Sequence, residues 1–283
     1  MYRQPHTVDD ALAALAAQRL TVLAGGTDLY PACVGKPLPD TLLDISRIDA
    51  LRSVASGPGG ALRIGALTTW SQLLRMQLPA PFAALAQAAR EIGGVQIQNQ
   101  GTIGGNLCNA SPAADGTPVL LALDAQVELA SARGVRQLPI DAFVLGNRRT
   151  AREPDELLIA VTIPPQPAAA RSCFLKLGHR RYLVISIASV ALRFAADEHG
   201  SVRDCAIAVG ACSAAPRRLP ALERALNGFP LREAAARAQR ALRTERERML
   251  EPLAPIDDVR GTARYRIDAV ATLIERAVAE LAA

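Results

Sequence analysis

The chain is short of aromatics, lysine, histidine and paired cysteines, and each shortage removes a class of function. Aromatic residues make up 4% of the 283 positions, so aliphatic side chains and alanine must fill the core. The five cysteines stand apart at 33, 108, 173, 205 and 212, with no CxxC and an odd total. That pattern argues against a disulfide framework and for reduced thiols in the cytoplasm. The three histidines, at 6, 179 and 199, lie far from any cysteine pair, so no metal site is expected. Lysine occurs only at 36 and 176, and arginine supplies almost all of the positive side of a formal charge of +5. The basic residues are scattered, without a stripe, interleaved aromatics or a reading motif, so nucleic acid is not an expected partner. No stretch is apolar for long enough to span a membrane, and Met1-Tyr2-Arg3-Gln4-Pro5 does not open a signal core.

Catalytic signatures are missing as well. There is no serine elbow, no GxxxxGK[ST], no HExxH and no tight carboxylate pair with a mechanism attached. A GxGxxG after the first strand is absent too, which disfavours a Rossmann NAD site. Hydrolysis and phosphoryl transfer have no machinery, and no side chain stands out as catalytic. A cofactor that carries its own chemistry, held and tuned by the protein, fits these absences.

Two glycine-rich loops are present, about eighty residues apart, in a chain whose length suggests about two domains. The first reads Ala24-Gly25-Gly26-Thr27-Asp28-Leu29 and follows the strand that carries Val22 and Leu23. Successive amides beside glycine form an anion-binding concavity, and the Thr27 hydroxyl can donate to a phosphate. Asp28 would repel phosphate and is expected to cap the loop's own backbone. An ordinary tight strand–helix turn is the competing reading. The second loop runs from Gly101 through Thr102, Ile103, Gly104, Gly105 and Asn106 to Ser111 and Asp115. The Asn106 amide and the Thr102 and Ser111 hydroxyls could satisfy phosphate or ribose oxygens, and Asp115 a ribose hydroxyl or a ring N–H. Its competitor is a helix N-cap. Together the loops suggest a diphosphate gripped from both sides. Cys108 reads as a small buried hydrophobe, His179-Arg180-Arg181-Tyr182 as a solvated or partner-facing patch, and Lys176 as a surface lysine or something more.

Patterning gives the order of elements. Thr7 caps a helix to about residue 18, and strands follow at 20–24 and 42–45. A Gly-Pro-Gly-Gly turn at 57–60 separates strands 52–56 and 61–65. Helices are expected at 69–77 and 80–91, then a long functional loop over 93–115. A helical run at 119–123 precedes strands 126–131, 157–163 and 172–178. Pro164-Pro165-Gln166-Pro167-Ala168 is the linker candidate, with a domain change near 170. A hairpin at 185–195 and 202–211 leads to helices 217–227, 231–248 and 263–282.

The motifs themselves identify a family. LAGGTDL at 23–29, NQGTIGGNLCNASPAAD at 99–115, PVLLALDA at 118–125, DELLIAVTIP at 155–164, FLKLGHRR at 174–181 and PIDDVRGTARYR at 255–266 occur in that order. In them the chain resembles the FAD-binding medium subunit of molybdenum hydroxylases, the xanthine dehydrogenase and carbon monoxide dehydrogenase group. The resemblance implies an α+β fold: a two-part FAD domain of the PCMH or vanillyl-alcohol-oxidase type over 1–170 (about 1–55 and 56–170), then a small α+β domain of the carbon monoxide dehydrogenase flavoprotein type over 171–283. It implies FAD contacts at residues 22–29, 102–106, Ser111 and Asp115. Ile92 falls near the isoalloxazine, Leu158 and Lys176 match further contact positions, and Tyr182 lies in a segment that approaches the flavin. Leu183-Val184-Ile185-Ser186 departs from the Asp-Ile-Ala of many members, and Cys108 runs on without the cluster-bearing insert of the 4-hydroxybenzoyl-CoA reductase branch, so no iron–sulfur cluster is expected in this chain. The implied partners are a molybdopterin-binding large subunit and a two-cluster iron–sulfur small subunit, assembled as a dimer of heterotrimers. A stand-alone FAD-dependent oxidoreductase and a scaffold that lost its cofactor are the alternatives.

Overall fold

A computed structural model describes residues 1–167 and 169–283; Ala168, the end of the expected linker, lies outside the described residues. The N-terminal part holds two main sheets and a two-stranded hairpin, Val144–Gly146 with Arg149–Thr150. Tyr2–Arg3, Leu42–Asp44 and Thr21–Leu23 form a small parallel sheet in that order. Helix Val8–Ala17 packs on it; Thr7 caps this helix by accepting from the Asp10 amide, as the sequence pattern implied. The second sheet is antiparallel, ordered Val54–Ser56, Leu62–Gly65, Leu157–Ile163, Gln126–Ser131, Gly134–Pro139. Its outer strand Gly134–Pro139 escapes sequence reading because it is an edge strand exposed along most of its length.

The C-terminal part is a four-stranded antiparallel sheet, Arg171–Leu177, Ala188–Ala196, Val202–Gly210 and Arg217–Arg218. Side chains alternate between its faces. Cys173, Val190, Leu192 and Phe194 face a core shared with helices Pro220–Leu226, Ala234–Thr244 and Ala263–Ala282. Phe174, Ala191, Ala206 and Ala208 face the other way, into the main core of the N-terminal part. The small alanines let that sheet lie close to helices Ala83–Glu91 and Gly116–Ala122. A sheet buried on both faces explains why every residue from Ala188 to Ala195 is buried.

Three expectations change. Residues 93–115 are not one long loop: Val95–Gln100 and Ile103–Asn109 are helices. Glycine, asparagine and glutamine hide the helical period, but Ile103 and Leu107, one turn apart, are fully buried. The helix expected from 217 begins at Pro220, because Arg217–Arg218 adds an edge strand. The helix expected over 231–248 breaks at Glu245 into Ala234–Thr244 and Arg246–Met249.

Two glycines are fixed by close approach. A Cβ on Gly25 would overlap the Gln100 carbonyl oxygen, so the first glycine loop lies flush on the backbone before the second. A Cβ on Gly104 would stand 2.8 Å from both the Cβ and the carbonyl oxygen of Ala66. Gly104 therefore serves the packing of helix Ile103–Asn109 on strand Leu62–Gly65. Overpacking of this kind costs about 1–3 kcal/mol. Gly104→Val is expected to lower the urea midpoint accordingly, and an unchanged midpoint would contradict this contact.

Across the antiparallel sheet, Arg63 meets Glu128 at 2.7 Å and the Thr162 hydroxyl donates to the same carboxylate at 2.6 Å. Burial works to raise the Glu128 carboxyl, but Arg63 and Thr162 outweigh it and hold it below its usual range. Its stabilisation is therefore present above the unfolded value of about 4.3 and is lost as pH falls through the lower folded value. Chemical denaturation across that range should show a shallower loss of stability for Glu128→Gln than for the native chain; equal slopes would contradict the bond network.

Candidate functional site

Between the two halves runs a cleft of about 900 Å³. The first glycine loop forms one wall. Helices Val95–Gln100 and Ile103–Asn109 form another, and Lys176 with Leu183, Val184 and Ile185 reach in from the C-terminal part.

The two loops differ in one respect that decides their chemistry. In the first, the N–H groups of Gly25, Gly26, Thr27, Asp28 and Leu29 donate to no protein acceptor among the described residues. Gly26 takes φ +71°, and a Cβ there would overlap the Tyr30 ring. Consecutive free amides around a left-handed residue form an anion nest. In the second loop the amides of Gly101 and of Ile103 to Asn106 are committed. Ile103 donates to Thr68 O at 3.0 Å, Gly104 to Ala66 O at 2.9 Å and Asn106 to Thr102 O at 2.9 Å. Gly105 donates to the Thr102 hydroxyl at 3.0 Å, which is a helix cap. The Asn106 amide is thus not free for a phosphate. The second loop contributes shape and side chains instead.

At the other end of the cleft sits a buried ion pair. Lys176 Nζ lies 2.6 Å from Asp115 Oδ2, both side chains 6% exposed. Lys176 also donates to the Glu91 carbonyl at 3.2 Å, and the Ser186 hydroxyl donates to Asp115 Oδ1. Burial pushes the Asp115 carboxyl up, while Lys176 and Ser186 pull against it. Asp115 stands at the start of helix Gly116–Ala122 yet makes no side-chain cap. Its carboxylate ties the N-terminal part to strand Arg171–Leu177 instead, so Lys176 is a buried structural cation.

All the FAD-contact positions expected from the sequence line this cleft except Ile103, which is in the core, and Tyr182. Tyr182 is 58% exposed with the Arg181 guanidinium 5.3 Å from its ring centre, while its neighbours Leu183 to Ile185 do the lining. Asp28 is exposed and caps nothing with its side chain. Cys108 is exposed toward the cleft, not buried as expected, because Leu107 takes the inward position on that helix. His179, Arg180 and Arg181 are exposed, in keeping with a surface patch.

Sequence reasoning missed Trp70, Glu91 and Arg148. Trp70, the only tryptophan, buttresses both the Gly101 turn and Gly116. Its uniqueness was the available signal. Arg148 lines the cleft at φ +57° and reaches the Asn109 side chain; nothing in the sequence marks it.

Breaking the buried pair gives a test. Removing one partner of such a pair costs about 3–5 kcal/mol, so Lys176→Met should be strongly destabilised and Asp115→Asn/Lys176→Met much less so. Without Lys176, only the Ser186 hydroxyl opposes the effect of burial on Asp115, so the folded state binds its proton more tightly than the unfolded state and the variant's deficit should shrink as pH falls. Urea unfolding of the cycle at two pH values reads this; additive losses would contradict it.

Comparison with known proteins places the architecture. Residues 1–166 match the FAD binding domain in molybdopterin dehydrogenase, and 174–281 match the CO dehydrogenase flavoprotein C-terminal domain. The chain is similar to the xanthine dehydrogenase FAD-binding subunit of Escherichia coli O157:H7, 32% identical over 100% of this chain and 96% of the relative. It is also similar to the glyceraldehyde dehydrogenase medium chain of Sulfolobus acidocaldarius, 30% identical over 92% of this chain and 90% of the relative. Among solved structures it superposes on carbon monoxide dehydrogenase from Hydrogenophaga pseudoflava with a TM-score of 0.86 and 28% identity, over 98% of this chain and 95% of the other.

Proposed function

The chain belongs to the family of FAD-binding subunits of molybdopterin dehydrogenases, and from that premise we propose that it is the electron-transfer flavoprotein of a heteromeric molybdenum hydroxylase. FAD is the family's cofactor, and the residues present fit it. The carrying observation is the run of unpartnered amides at Gly25 to Leu29 in an elongated cleft that ends on a buried lysine. Bound FAD would supply one- and two-electron redox chemistry. The chain's own residues would do the holding. Gly25 to Leu29 take the diphosphate through N–H donors, with the Thr27 hydroxyl beside them. Val22 to Ala24 and Leu158 give the adenosine half an apolar bed. Asn106 and Ser111 offer polar side chains along the middle. Ile92, Asp115 and Lys176 meet the isoalloxazine end, and Leu183 to Ile185 cover it from the C-terminal domain, which we assign to 171–283.

In this reading electrons arrive from the clusters of an iron–sulfur subunit, after a molybdopterin subunit has oxidised the substrate, and leave to an external acceptor. The Sulfolobus acidocaldarius relative is a medium chain, which supports a multi-subunit enzyme; we take the complex to be cytoplasmic, with three kinds of subunit paired into a dimer. No helix of the described residues is long and apolar enough to cross a membrane. The cleft presents no obvious acid–base pair for substrate chemistry, and that favours the relay over a self-sufficient FAD oxidoreductase.

Purified chain should carry flavin absorbance or gain it when FAD is supplied. Gly26→Ala should weaken FAD binding at least about tenfold, the worth of one lost charge-assisted hydrogen bond. A colourless protein that takes up no FAD would overturn the proposal. Turnover of a small-molecule substrate by the isolated chain would favour the self-sufficient enzyme.

A further inference from the structure

The stretch 255–266 stands out in the sequence, yet none of it lines the cleft. Its last residue, Arg266, is 3% exposed and sits in the first turn of helix Ala263–Ala282, which Thr262 caps by accepting from the Tyr265 amide. A guanidinium in so dry a place is costly. Its one ion pair, with Asp258 at 2.6 Å, is to a carboxylate whose side chain is 25% exposed. An apolar side chain would pack there at less expense, so the arginine is explained by what else it holds.

The remaining bonds go to two carbonyls. Nη1 donates to Ile187 O at 2.5 Å and to Ala211 O at 3.0 Å. Both carbonyls belong to segments that run into the flavin end of the cleft. Ile187 closes the covering segment: its neighbour Ser186 donates to Asp115, and Leu183 to Ile185 line the cleft. Ala211 donates its own N–H to Pro112 O at 2.9 Å, next to Ser111. One guanidinium thus reaches the run 111–115 by two routes, through Ile187 to Asp115 and through Ala211 to Pro112. Ala211 takes φ +62° without being glycine. Strained backbone of that kind persists where its surroundings hold it, and it clusters at ligand clamps. Here it turns the N–H toward Pro112 and the carbonyl toward Arg266.

We propose that Arg266 is a positioning residue for FAD: it stands outside the cleft and fixes both the covering segment and the run 111–115 that meet the cofactor. The inference rests on the FAD reading above. Nη1 carries two hydrogens in the guanidinium plane, one for each carbonyl, and Nη2 serves Asp258. A lysine ammonium is one nitrogen on a flexible stem and cannot replace both nitrogens at once.

The test uses the full chain and three variants. Arg266→Met removes every donor, and Arg266→Lys keeps the charge and loses the fork. Arg193→Met is the control. Arg193 is also 3% exposed, and its partners Asp124, Asp204 and Gln166 do not line the cleft. FAD affinity is measured by fluorescence titration under conditions where urea curves show each variant folded, and the bound flavin is followed by visible circular dichroism. Arg266→Met should bind FAD about tenfold more weakly, the lower end of what residues that orient metal ligands are worth. Its bound flavin should show an altered circular dichroism, and Arg266→Lys should share that alteration with a smaller loss of affinity. Arg193→Met should lose stability and keep native affinity and spectrum. Native affinity and spectrum in folded Arg266→Met, or in Arg266→Lys where the methionine variant does not fold, would overturn the role of Arg266 and leave the FAD reading standing. An equal loss in Arg193→Met would also overturn it, by tracing the effect to general instability. Failure of the native chain to take up FAD would overturn both.

Discussion

The contact on which the site depends is the one between Gly25 and the Gln100 carbonyl, where a Cβ has no room. Two stretches of chain far apart in sequence meet there backbone to backbone. The meeting holds the first glycine loop against the turn that starts helix Ile103–Asn109. It leaves the first loop with a run of open N–H groups, while the amides of Ile103 to Asn106 in the second are taken up within the protein. Buried donors are almost always partnered, so an open run of donors on a cleft wall is where a ligand's oxygens are most strongly drawn. The glycines of the second loop serve helix packing, through Gly104 on Ala66.

The rest of the cleft needs both halves of the chain. The C-terminal sheet is buried on two faces, one against its own helices and one against the N-terminal core. That packing brings Lys176 to Asp115 across the interface. A charged pair is a poor source of stability in a dry place, but it sets the position of strand Arg171–Leu177 against helix Gly116–Ala122. The covering segment Leu183 to Ile185 is carried with it.

Much of this was legible in the chain itself, for identifiable reasons. The hydroxyl cap at Thr7, the Gly-Pro-Gly-Gly turn and the alternating strands produce local signals that tertiary packing does not override. The glycine loops were visible because glycine runs are uncommon outside turns. What they do was only half visible. Whether an amide is free depends on what lies opposite, and Thr68 and Ala66 are more than thirty residues away from the amides they occupy. Residues 93–115 hid two short helices because their apolar contacts fall at only a few positions. Cys108 was misplaced for the same reason: without the helix, nothing said that Leu107 and not Cys108 turns inward. Lys176 stood out only by scarcity, and its burial depends on a partner sixty residues away. Arg148 owes its interest to backbone conformation, which a sequence does not record.

Amide hydrogen exchange, read by mass spectrometry with and without FAD, addresses the central claim most directly. The peptide covering Gly25 to Leu29 should exchange freely in the flavin-free protein and become protected when FAD is added. The peptide covering Ile103 to Asn106 should already be protected and change little. Protection gained at Ile103 to Asn106 but not at Gly25 to Leu29 would contradict the account.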